Sequence, residues 1–394
     1  MALQRTFHQG TDFRRALSIA ELRLIARRRV PHFAFEYVDS GAQDEITLRR
    51  NRSAFEAIGF IPPTLCDTSA RQQRTRLFGA ELSSPLVVAP TALNGLLHRQ
   101  GDLALARAAK AAGIPFTLAT LSTVTLERVA REVGGRLWMQ LYLMQDRRVA
   151  REIIARAEAA GFEALVLTSD ANVFGQREWD RRNYRAPGQL NLRNLLDVAR
   201  HPGWLWQILW PHGIPRFANV ASALPPEARS ARAGVAHLPR LMLPDISWQD
   251  LAWVREAWPR TLILKGVLTV ADAERAARHG CDGIVLTNHG GRQLDGTIAP
   301  LEVLPEIAEA VGKQLTLLID SGFRRGTDVV KALALGADGV MLGAATLYGL
   351  AAGGEAGVTH ALDILRGEID RTLGQLGCNS IAELGPHLLK NSSR

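Results

Sequence analysis

The chain has little of what would mark several large classes of protein. Only three cysteines, Cys66, Cys281 and Cys378, occur in 394 residues; they lie far apart and form no CxxC pair. This spacing argues against a disulfide framework or a zinc site and leads us to expect a reducing, cytoplasmic setting. A run of about 18 apolar residues is also missing, so no helix is expected to span a bilayer. The first residues, MALQRTFHQGTDFRRALS, carry no apolar core behind their charges, unlike a secretory signal. Compact basic clusters are scarce as well. The net charge of +8 comes mostly from scattered Arg, with Arg27-Arg28-Arg29 the one tight run. Scattered Arg reads as a solvated face, and no nucleic-acid partner is expected.

The composition itself, 47% hydrophobic and 22% charged, is that of a globular protein. Residues 1–80 read as helices and connecting loops. RALSIAELRLIARRRVP has apolar residues at helical spacing and stops at Pro31, and Ser40-Gly41 breaks the next helix just after Tyr37. From Leu86 onward short apolar runs alternate with helical segments. The runs are Leu86 to Ala89, Pro115 to Leu118, Leu137 to Leu141, Ala164 to Leu167, Leu262 to Leu264, Gly283 to Leu286, Leu315 to Ile319 and Gly339 to Leu342. Runs that are apolar throughout belong to a parallel sheet covered by helices. An open doubly wound sheet would also fit, but eight regular units favour a closed (β/α)8 TIM barrel. We expect one domain over 1–394: a helical segment to residue 80, then a barrel over 81–380. An insertion over 171–247 follows the fourth strand and is too long for an ordinary loop. Its segment HPGWLWQILWPHGIPRF has two readings. It is a lid packed by its aromatics, or a patch suited to a membrane interface.

One stretch organises the rest: DGIVLTNHGGRQLDG, residues 282–296. An apolar strand ends in Thr287-Asn288 and is followed at once by His289, two Gly and Arg292. His289 exchanges protons near neutral pH and Arg292 offers a planar fork to a carboxylate or phosphate. On this stretch alone, a Gly-rich turn with a surface His and Arg is as good a reading. The other strand ends tilt the balance, since nearly all carry a polar group at the same face. They supply Pro90-Thr91-Ala92, then Gln140 and Tyr142, Thr168 and Asp170 with Arg177 beyond, Lys265, and Asp320-Ser321-Gly322 with Arg324. Gly-rich loops and a basic residue after the last two strands suit a phosphate. Together these groups point to a cofactor enzyme acting on an anion.

With those residues in place, the chain resembles the FMN-dependent L-2-hydroxy-acid dehydrogenases and oxidases. The resemblance runs from about Arg29 to Cys378 and rests on APTALNGLL, GIPFTLAT, LWMQLY, NHGGRQLD, LIDSGFRRG and ATLYGLAAGGEAGV. It implies that His289 is the active-site base and Asp170 its orienting partner. Arg177 and Arg292 would grip the substrate carboxylate, helped by Tyr37 and Tyr142. Lys265 would lie at the flavin pyrimidine edge. Pro90, Thr91, Ala92, Ala119, Gln140, Thr168 and Thr287 would line the ring, Asp320 would take ribityl hydroxyls, and Gly322, Arg324 and Gly343 the phosphate. Two positions depart from the family pattern: Ala119 where a Ser usually meets the flavin, and Ala344 where an Arg usually meets the phosphate.

The resemblance further implies oxidation of an L-2-hydroxy acid to the 2-oxo acid, with electrons passing to a membrane quinone. Ala92 and Leu121 are expected beside the substrate side chain and would admit an aromatic ring. (S)-Mandelate, giving benzoylformate, is therefore the first expectation, and L-lactate or oxygen-dependent oxidation the alternative. A homotetramer, peripheral on the inner face of the cell membrane through residues 190–222, completes the picture. No GxGxxG follows an early strand, which argues against NAD. A catalytically dead barrel serving as an adaptor is the remaining rival, opposed by the intact set of polar strand ends.

Overall fold

The computed structural model describes residues 7–210 and 213–391. Parts of the N-terminal and tryptophan-rich stretches discussed above, residues 1–6 and Pro211-His212, fall outside them.

Eight parallel strands close into a barrel: β1 (Leu86–Val88), β2 (Phe116–Leu118), β3 (Leu137–Leu141), β4 (Ala164–Thr168), β5 (Thr261–Val267), β6 (Gly283–Leu286), β7 (Thr316–Ile319) and β8 (Gly339–Leu342). β8 pairs with β1, Met341 opposite Val87, and this closes the ring. Side chains alternate along each strand and divide the core in two. Val87, Trp138, Ala164, Val166, Ile263, Val285, Leu318 and Met341 point inward and fill the lumen. Their neighbours Leu86, Met139, Leu165, Leu264, Ile284 and Leu317 point outward under the helices. The helix Arg147–Ala159 shows why such segments are helical. It buries Val149, Ala150, Ile153, Ile154 and Ala157 along one face, and the Asp146 side chain caps its first turn. Each fully buried Ile contributes about 1.5–3 kcal/mol, and the cap about 1 kcal/mol.

Residues 7–80 are not all helix and loop. Helices α1 (Ile19–Arg29), α2 (His32–Asp39) and α3 (Ile46–Glu56) form as expected, but Ile58–Phe60 is a strand paired with Leu389–Asn391. Thr75–Leu77 and Ala80–Leu82 form a hairpin. Its turn, Phe78-Gly79, has φ of 51° and 78°, the left-handed geometry of a two-residue hairpin. Leu77 and Leu82 join the lumen core and Phe78 stacks edge-on to Trp138 at 5.7 Å, so the hairpin plugs the N-terminal mouth.

Between β4 and the helix Trp248–Ala257 lies the insertion, built of short helices and one hairpin. It is tied to the barrel by Trp204 Nε1 donating to the Leu96 carbonyl (2.8 Å) and to α2 by Asp197 accepting from the His32 N–H (2.7 Å).

Candidate active site

The alternation that fills the lumen continues to the C-terminal ends of the strands. One step beyond the apolar layer, the same inward parity belongs to Ala119, Gln140, Thr168, Lys265, Thr287, Asp320 and Gly343. Gln140, Thr168, Lys265 and Thr287 are buried. Gln140 Nε2 donates to Thr168 Oγ1 (3.1 Å), and its Oε1 accepts from the Thr120 N–H (3.0 Å). Lys265 Nζ stands 3.5 Å from Asp320, 3.9 Å from Asp170 and 3.5 Å from Thr287 Oγ1. Burial opposes its charge, but the two carboxylates outweigh burial and raise its pKa.

Above this floor His289 Nδ1 lies 2.9 Å from Asp170 Oδ1. Burial works against the Asp170 charge; the charges of His289 and Lys265 and the His289 hydrogen bond overcome it and hold the carboxyl at about 2. An ionised carboxylate only accepts hydrogen bonds, so Nδ1 carries the proton and Nε2 is the free, basic nitrogen. The residue adopts φ 57° in a turn continued by Gly290 at 70° and Gly291 at 74°. Gly291 cannot be replaced, because a Cβ there would come within 2.7 Å of the Leu48 amide nitrogen in α3.

The N-terminal helices clamp this turn. Asn51 and Asn288 exchange side-chain hydrogen bonds (2.9 and 2.6 Å), and Ala42 N–H donates to the Gly291 carbonyl (2.9 Å). Arg292 donates to the carbonyls of Tyr37 (2.7 Å), Val38 (3.4 Å) and Ser40 (2.8 Å) at the end of α2. Those bonds occupy three of its five N–H donors and leave two for a ligand. Arg292 and Arg177 flank the Tyr37 ring, 5.5 and 5.6 Å from its centre. Burial, with repulsion from Arg177, lowers the Arg292 pKa to about 10. Two cations share this space, and the carboxylate paired with Arg177, that of Asp180, is 3.8 Å away. The arrangement attracts an anion. Tyr37 donates to the Ala92 carbonyl (3.1 Å), and burial followed by the Asp170 charge pushes the Tyr142 hydroxyl pKa upward.

All the residues singled out for catalysis thus converge on one mouth. Leu121 is buried, and its carbonyl accepts from the Leu93 N–H (3.3 Å), next in the chain to Ala92. Several residues of the site carried no usable sequence signal. Asn51 reaches Asn288 across 237 positions, and Thr120 and Asp180 look like ordinary loop residues until folding brings them close.

A phosphorylated flavin fits what is present. A Cβ at Gly343 would meet nothing within 4 Å, so open space lies over the end of β8. Beyond β7 and β8 a cavity of about 440 Å³ is lined by Gly322, Arg324, Tyr348, Arg23 and Arg52. Arg23 is paired with Asp39 and Arg52 with Asp328, each at 2.5 Å. Arg324 has no carboxylate partner among the described residues; it donates to the Phe323 carbonyl and lies over the Tyr348 ring. A cation without a counter-ion beside the N-terminus of the helix Ala344–Gln375 suits a phosphate.

Comparison with known proteins gives the same result. Residues 26–391 match the profile of the FMN-dependent dehydrogenases. The (S)-mandelate dehydrogenase of Pseudomonas putida is 44% identical over 95% of this chain and 94% of its own. An L-lactate oxidase of a Nostoc species is 41% identical over 95% of this chain and 98% of its own. A crystal structure described as the monotopic membrane protein (S)-mandelate dehydrogenase superposes with a TM-score of 0.91 at 42% identity, covering 96% of this chain and all of the other. The chain therefore belongs to the FMN-dependent dehydrogenase family and is an FMN-dependent 2-hydroxy-acid dehydrogenase or oxidase.

Proposed function

We propose that the protein oxidises (S)-mandelate to benzoylformate and passes the electrons to a membrane quinone. The observation that carries the chemistry is the His289–Asp170 contact beside two arginines, of which only Arg177 has a carboxylate within 4 Å among the described residues. The choice of mandelate is supported by the 44% relative and by the solved structure at TM-score 0.91. FMN, when bound, supplies the two-electron acceptor. Arg177 and Arg292 hold the substrate carboxylate, and Tyr37 and Tyr142 fix its orientation. His289 Nε2 takes the proton that the carbinol group releases, and Asp170 stabilises the imidazolium so formed. Lys265 places a positive charge where reduction builds up negative charge. Pro90, Thr91, Ala92, Ala119, Gln140, Thr168 and Thr287 form the walls of the flavin site, Asp320 faces its ribityl chain, and Gly322, Arg324 and Gly343 its phosphate.

The quinone assignment is supported by the insertion, within residues 190–222. Leu192, Leu195, Leu196, Trp206, Leu209, Trp210 and Ile214 are exposed there, and the rings of Trp206 and Trp210 stack at 5.5 Å. No helix among the described residues is long and apolar enough to cross a bilayer. A face of this kind suits shallow insertion, and the structural relative is described as monotopic. The same reading has one domain, assembled as a homotetramer and resting on the inner face of the cell membrane.

Anaerobic mixing of the FMN-loaded protein with (S)-mandelate and with L-lactate tests the reaction. Faster bleaching of the flavin by mandelate is expected; faster bleaching by lactate would reassign the substrate. Oxygen-dependent oxidation is the second reading, favoured by the L-lactate oxidase at 41% identity. Peroxide formed in step with substrate loss, without added quinone, would establish it.

A further inference from the structure

Ser321 occupies a backbone conformation that a serine seldom takes. Its φ is 79°, in the left-handed region that favours glycine, and it is buried. Such a conformation persists where surrounding contacts enforce it, and it draws attention to what the side chain does. The hydroxyl lies 2.8 Å from Asp320 Oδ1 and 3.0 Å from the Gly290 nitrogen. The hydroxyl donates to Asp320 Oδ1, and a lone pair receives the Gly290 N–H. The His289 N–H is held in the same manner by Thr287 Oγ1 at 2.9 Å. Two successive peptide N–H groups of the His289 turn thus depend on side-chain hydroxyls from two different strand ends.

These contacts close a ring. Lys265 meets Asp320, Asp320 meets Ser321, Ser321 holds Gly290, and the adjoining His289 meets Asp170, which faces Lys265. Ser321 is the one side chain in it that does not ionise. We propose that Ser321 is a positioning residue for His289: its hydroxyl, anchored on Asp320, fixes the left-handed turn that aims Nε2 at the substrate. The proposal rests on His289 being the base.

The test uses the full chain loaded with FMN and two variants, Ser321→Gly and Ser321→Ala. Glycine removes the hydroxyl and relieves the backbone; alanine removes the hydroxyl alone. Both are expected to retain FMN and to lower the limiting rate of anaerobic flavin bleaching by roughly tenfold or more, with little change in KM. The Gly variant is expected to melt no lower than the parent. A loosened His289 loses part of the stabilisation that Asp170 gives its imidazolium, so the acid limb of the bleaching rate should move to lower pH. Asp170, Lys265, Arg177 and Arg292, the charged groups around it, are unaltered in both variants. In a cycle with His289→Asn, the double variant with Ser321→Gly should bleach no more slowly than His289→Asn alone. A Ser321→Gly protein with the parent's rate and pH profile would overturn the proposal. So would strictly additive losses in the cycle, or loss of FMN as the sole defect. Normal bleaching by His289→Asn would instead remove the base itself, and the role of Ser321 with it.

Discussion

The barrel mouth and the insertion solve opposite problems with similar residues. At the mouth, strand alternation presents polar groups to an enclosed space, and most of them find partners there: Gln140 with Thr168, Asp170 with His289, Lys265 between two carboxylates. In the insertion, the helix Pro202–Leu209 turns Trp204 and Ile208 inward, 6% and 1% exposed, while Trp206 is 67% exposed. The lid reading therefore holds for the face of Trp204 and Ile208, and the exposed face of Trp206 is what the interface reading requires. Polar groups gather where the barrel encloses them, and large apolar ones are left exposed on the insertion.

If the two regions are separable, each can be disabled alone. The largest effect should come from His289→Asn. Removing a general base costs roughly a hundred- to ten-thousandfold in rate, read as slow bleaching of a flavin that stays bound, with membrane partitioning unchanged. Bleaching at the parent rate would remove His289 from the reaction. The converse variant replaces Leu195, Leu196, Trp206 and Trp210 with Ser. Binding to lipid vesicles should fall by roughly a hundredfold, given about 1.5–3 kcal/mol for each large apolar side chain fully buried and less at an interface. Bleaching by the acid should stay as it was. Persistent sedimentation with vesicles would place the contact elsewhere.

The two regions also differ in how much of them the sequence disclosed. Strand order, the closed barrel and the inward ring were legible, because apolar runs and their alternation are local signals and the polar residues of the ring sit within a few positions of a strand end. The hairpin at Phe78-Gly79 was not, since its three-residue strands are too short to show a period. Nor was the clamp of Asn51 on Asn288, which exists only after closure. In the insertion, spacing alone could not tell Trp204 from Trp206.

A smaller effect concerns the anion site. Arg292 is cationic below its pKa, which burial and Arg177 lower to about 10. Its hold on a carboxylate should be complete below that pH and weaken as pH rises through it, with KM increasing at most about tenfold per unit. In steady-state assays a KM that stays flat to pH 11 would mean that Arg177 carries the carboxylate alone.

The smallest effect tests how far the mouth is complete. Ala344 opens the helix Ala344–Gln375, next to Gly343 and near the cavity that Arg324 borders without a counter-ion. The helix end already offers N–H groups and a partial positive charge to a phosphate. An Arg at this position would add a charge-assisted contact, but a partly solvated one, so Ala344→Arg should tighten FMN binding by about tenfold or less. Titration of the apoprotein with FMN and with riboflavin separates this from a general gain in stability. Only FMN should gain, since only FMN carries the phosphate. Equal gains for both would mean that the new side chain acts through the fold, and no gain for either would mean that Arg324 and the helix end already meet the phosphate in full.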